Sequence, residues 1–153
     1  MKKLIVTLLA LMTGFSQMPA QDVYNYLFEN ANKVVSNPKA NFTSVSIARF
    51  KLAALTYMRS KKPGDVQFLN NQAYYMSEYL TLFMNEMVKG KDKKRSSFIV
   101  KTFMETSLQT PMFNDTNYAT VRAYVSDKDL TPFSLDTDWE KAYIAVKNQI
   151  AKK

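Results

Sequence analysis

Asp65-Val-Gln-Phe-Leu-Asn-Asn-Gln-Ala-Tyr-Tyr-Met-Ser-Glu-Tyr-Leu-Thr-Leu-Phe-Met-Asn-Glu-Met-Val-Lys-Gly90 is the stretch whose period decides the fold. Its apolar residues fall at Leu69, Ala73, Met76, Leu80, Phe83 and Met87, alternating steps of four and three, which is a heptad seam on one face of a helix. Phe68, Tyr75, Tyr79 and Leu82 form a second stripe beside it, so two neighbouring helices are expected against this one. Lys62-Pro63-Gly64 ahead of Asp65 is a turn leading into an N-cap, and Gly90 suits the C-terminal cap.

Outward from this helix the same period recurs. Asp22 to Ser36 carries Tyr24, Phe28, Ala31 and Val35 on one stripe, with Val23, Leu27 and Val34 beside it, and Asn37-Pro38 ends it. Thr43 or Ser44 can cap a helix to about Arg59, in which Val45, Ala48, Leu52 and Leu55 recur while Ile47, Phe50, Ala54, Tyr57 and Met58 widen the apolar face. That breadth places it centrally. Ser96 or Ser97 starts a further helix with Ile99, Phe103 and Thr106 on one face, closed by Pro111. Residues 112–135 are ambiguous: Tyr118 to Val125 suits two helical turns or a short strand, with helix preferred, and Leu130 to Leu135 reads as an extended loop. The last helix is expected from Thr137, with Glu140 completing a capping box and Trp139, Tyr143, Val146 and Ile150 facing inward. The sum is an all-α fold, a single compact antiparallel helical bundle of five or six helices.

The N-terminus reads as a leader. Lys2-Lys3, an apolar run from Leu4 to Met12, and Met18-Pro19-Ala20 have the order of a secretory signal peptide, placing cleavage after Ala20. The run is too short to remain as a transmembrane helix. Residues 1–20 are thus read as signal peptide and 21–153 as the helical domain. The mature chain is expected in the periplasm or outside the cell, with no transmembrane span.

Composition then removes functions. The chain has neither cysteine nor histidine, which excludes thiol nucleophiles, imidazole bases, thiolate or imidazole zinc sites and the usual haem ligands. After loss of Gly14 only Gly64 and Gly90 remain, so there is no glycine-rich phosphate loop. No cofactor is implied.

The formal charge is +8, which raises the question of nucleic acid. Two basic runs stand out, Arg59 to Lys62 and Lys89 to Arg95, at opposite ends of the long helix, about 35 Å apart at 1.5 Å per residue. Neither loop holds an aromatic residue for base stacking, so both read as solvated connections rather than a nucleic-acid surface. Asp127, Asp129, Asp136 and Asp138 lack the spacing of a calcium loop, and Asp136, Asp138 and Glu140 suit a helix N-terminus instead. The acidic segment as a whole, Asp115 to Glu140, can also face one of the basic loops. Glu78 and Glu86 share a helix face about 12 Å apart, too far for paired-carboxylate hydrolysis, and read as a polar outer face. Ser36 and Lys39 have a Ser–Lys spacing, but Pro38 intervenes. An enzyme would need convergent carboxylates or a buried lysine in one cleft, which the linear spacing does not provide.

Tyr74, Tyr75, Tyr79 and Met84, with Met76 and Met87, are the candidate contacts, either lining a slot for a small apolar ligand or meeting a protein partner. The plainer reading is that they fill the core.

Asn37-Pro38-Lys-Ala-Asn41-Phe42-Thr43, Gln72-Ala-Tyr-Tyr-Met76, Pro111-Met-Phe-Asn-Asp115 and Pro132-Phe-Ser-Leu-Asp-Thr-Asp-Trp139 resemble small exported helical proteins of Bacteroidetes bacteria, and Gln21 after the cleavage point is similar to their processing sites. The resemblance implies export and one helical domain, and assigns no activity or site residue. The function expected is a non-catalytic binding or interaction protein of unknown partner, with a carrier of a small apolar ligand as the alternative.

Overall fold

The computed structural model describes residues 23–126 and 131–152. The signal-peptide reading of residues 1–20, together with Gln21, Asp22, Asp127, Asp129 and Leu130, lies outside the described residues. Six helices and one hairpin follow in the order α1 (Val23–Ser36), α2 (Phe42–Lys61), α3 (Val66–Lys89), α4 (Lys93–Gln109), α5 (Tyr118–Val121), β1 (Arg122–Ser126), β2 (Thr131–Ser134) and α6 (Trp139–Ala151).

The axis of the fold is α3, which packs against α1, α2, α4 and α6. Asp65 caps it, accepting from the Phe68 N–H at 3.1 Å, and Gly90 ends it, its N–H donating to Met87 O at 3.2 Å. Leu69, Ala73, Met76, Leu80 and Phe83 of the seam are buried, and Tyr79 of the second stripe is fully so. The apolar breadth of α2 is explained by its neighbours, since α1, α3 and β1 surround it. Its cap is Asn41, two residues before the expected Thr43, accepting from the Ser44 N–H at 2.8 Å.

Two further starts differ from expectation. Asp92 accepts from the Lys94 N–H at 2.9 Å and begins α4 at Lys93, inside what reads as a basic loop. Asp138 accepts from the Lys141 N–H at 3.2 Å and begins α6 at Trp139, while Thr137 hydrogen-bonds Ser107 and the Ser134 carbonyl instead.

Between α4 and α6 the chain departs from helix. Tyr118 to Val121 is one helical turn, after which Arg122–Ser126 runs as a strand antiparallel to Thr131–Ser134, with Ala123 opposite Phe133 and a register shift between Tyr124 and Ser126. The preference for helix across Tyr118 to Val125 thus holds only for its first half. β1 lies on α2 and β2 on α4, so the hairpin closes the gap between those helices. Its anchor is Phe133, fully buried, whose ring meets Phe50 of α2 at 5.9 Å and Tyr79 and Phe83 of α3 at 5.7 and 5.4 Å. Trp139 joins the same cluster through Phe50 and Tyr79. Together these rings form an aromatic knot that joins α2, α3, the hairpin and α6.

The loop after α4 is held by one carboxylate. Asp136, buried, accepts from the N–H groups of Met112, Phe113 and Asp115 at 3.2, 2.7 and 2.8 Å. Around this grip the backbone turns through Asn114 at φ 53°, left-handed geometry that asparagine tolerates. No helix of the described residues is long and apolar enough to cross a membrane.

Candidate binding groove

A groove of about 790 Å³ is lined by residues of α1, α2 and α3. Leu27, Ala31 and Val34 of α1, Phe42, Ile47 and Ala48 of α2, and Met84 of α3 supply its apolar walls. The capped first turn of α2, Asn41 to Ser44, forms one rim, and Phe42 stands there 58% exposed. Ser77 and Thr81 add hydroxyls along the α3 wall. The size falls within the range of small-molecule pockets, roughly 300–1,000 Å³.

Lys51 is the unusual member of this lining. It follows Ile47 by four residues and Ala48 by three, so the helical period turns it to the apolar side of α2. It is half-buried, and the protein atoms crowded round it hold its pKa below the ordinary lysine value, because burial penalises the charged form. Among the described residues its ammonium has no ion pair or hydrogen bond. Lys33, exposed, stands on the α1 wall, and the described lining contains no Asp or Glu. A lysine in a cleft, absent from the linear spacing, is therefore present in the fold.

The four expected contact residues do not share a site. Met84 lines the groove. Tyr79 is in the core, its hydroxyl donating to the Phe103 carbonyl, and burial pushes its pKa up. Tyr74 and Tyr75 lie in a different, shallow hollow of about 670 Å³ with Val23, Val66 and Asn70. Helical period explains the split, since successive residues of α3 point to different neighbours.

The carboxylates likewise separate. Glu86 is not on an outer face: it is buried and paired with Arg95 at 2.6 Å and Lys89 at 3.1 Å, tying the start of α4 to α3. Glu78 lies instead beside Tyr143 and Lys147 of α6, its pKa raised by burial, with Lys147 and the Tyr143 hydrogen bond opposing. Asp115, in the acidic segment, does meet a basic loop: it pairs with Lys61 at 3.2 Å and accepts from the Tyr57 hydroxyl at 2.9 Å. Its pKa is lowered chiefly by the Asn117 N–H, then by Tyr57 and Lys61. Asp136 and Asp138 are committed to backbone N–H groups, and among the described residues no group of three potential metal ligands occurs.

No protein-family model, curated protein or solved structure matches the chain.

Proposed function

We propose that the chain is an exported, non-catalytic binding protein of the periplasm or cell exterior, and that the groove between α1, α2 and α3 is where it carries a small apolar ligand. The groove itself supports this reading: it is large, its exposed lining is more apolar than polar, and one exposed aromatic, Phe42, stands at its edge. Catalysis finds less support, because Lys51 has no carboxylate in the described lining to act beside it. Thr81, half-buried on the α3 wall, is the place to block the site. An apolar fluorescent probe should bind the wild-type protein and lose most of its affinity for Thr81→Trp. Equal binding by both would reject the groove.

The hollow formed by Val23, Val66, Tyr74 and Tyr75 favours a second reading, a protein partner. Val66 is 51% and Tyr74 37% exposed, and tyrosine suits interfaces because its ring is apolar and its hydroxyl wet. Tyr74→Ala would weaken such a complex and leave the probe's binding unchanged. Export and membership of the Bacteroidetes family belong to the same proposal. Export predicts that the secreted protein begins at or near Gln21; a secreted form retaining Met1 would reject processing.

A further inference from the structure

We propose that the groove binds a single-chain carboxylate, a fatty acid, with its head group on Lys51 and its chain along the aliphatic wall. The inference rests on the groove being the ligand site, and adds the charge and shape of what fills it.

Charge complementarity carries the argument. A half-buried lysine without a counter-charge is an unfavourable arrangement, and one anion beside it offsets part of the penalty. Among the described residues Lys51 has no such anion, and nothing in the described lining would repel one. The lowered pKa of Lys51 agrees with a site short of both water and negative charge. Beyond the ammonium, Leu27, Ala31, Val34, Ile47 and Ala48 offer an aliphatic wall for a flexible chain, and Met84 adapts to its shape. Lys51 is the half-buried cation of the described lining, Lys33 being exposed on the α1 wall, and it matches one negative charge on one chain. The hydroxyls of Ser77 and Thr81 can donate to the second carboxylate oxygen.

The test uses decanoate, decan-1-ol and acetate as probes of the full-length mature protein, measured by calorimetry or by displacement of the apolar dye. Decanoate should bind at least about tenfold more tightly than decan-1-ol, and acetate should not compete. Lys51→Met should remove the preference for the acid over the alcohol, and Lys51→Arg should restore part of it. The wild-type comparison of acid with alcohol needs no variant, so it stands even where Lys51→Met folds poorly. Equal affinity for decanoate and decan-1-ol would overturn the carboxylate assignment and leave the apolar groove standing. Competition by acetate as strong as by decanoate would overturn the chain's place in it. Binding of neither long-chain probe would overturn the groove reading as well.

Discussion

Tyr79 is where the fold is most exposed to a single change. Its side chain is fully buried, and its ring meets Phe103, Phe133 and Trp139 at 5.1, 5.7 and 5.4 Å, so it joins α3 to α4, the hairpin and α6 at once. Truncation to alanine removes a ring with no means of collapse, because all three partners are themselves held by other elements. Large aromatic truncations of that kind cost about 3–5 kcal/mol, and loss of three edge-on ring contacts puts Tyr79→Ala at the upper end. The hydroxyl contributes far less. It donates to the Phe103 carbonyl, with the Ser107 N–H also beside it, and both backbone groups keep their helical partners when it is gone. Tyr79→Phe should therefore cost only about 1 kcal/mol. Urea unfolding followed by far-ultraviolet dichroism, with Trp139 fluorescence as a second probe, measures both. A Tyr79→Ala protein within about 1 kcal/mol of wild type would refute the aromatic knot, as would Tyr79→Phe falling as far as Tyr79→Ala.

Three further outcomes follow from particular side chains. Asp136→Ala removes one acceptor from three backbone N–H groups and should cost about 2–4 kcal/mol, with faster hydrogen exchange at Met112, Phe113 and Asp115; unchanged exchange there would remove its clamping role. Lys51→Met should raise the melting temperature of ligand-free protein at neutral pH, since a base with a lowered pKa is least welcome while charged. Tyr26 and Lys33 are the other titratable groups of the lining. The gain should shrink as pH rises through the lowered pKa towards the ordinary lysine value, and a gain independent of pH would sink the argument. Glu78, an acid with a raised pKa, opposes folding once ionised, so Glu78→Gln should stabilise slightly at neutral pH. That gain should vanish below the unfolded carboxylate's pKa, and thermal melts at both pH values decide it.

The legibility of the chain follows the range of its interactions. α3 is readable because everything that defines it is local: Asp65 caps it, the seam repeats for its whole length, and Gly90 stops it. The start of α4 is hidden, since Lys93 to Arg95 look like solvated loop until Asp92 is recognised as their cap. The hairpin is hidden for a different reason. Arg122 to Ser126 becomes a strand only by pairing with Thr131 to Ser134, and Phe133 holds it there through contacts with α2 and α3. Glu86 reads as surface because the arginine that neutralises it belongs to the next helix. The groove residues divide along the same line. Met84 was within reach of the pattern, whereas Lys51 required noticing one charge on the apolar side of α2, a turn beyond Ile47. Tyr74, Tyr75 and Tyr79 share a stretch of sequence and separate in space because a helix turns each toward a different neighbour.

The native mass spectrum of the mature protein purified from its source tests the central claim most directly. The account predicts a fraction of molecules heavier than the bare chain by one single-chain acid, and loss of that adduct from Thr81→Trp expressed in the same cells. An adduct retained in full by Thr81→Trp, or bare chain alone after gentle purification, would contradict it.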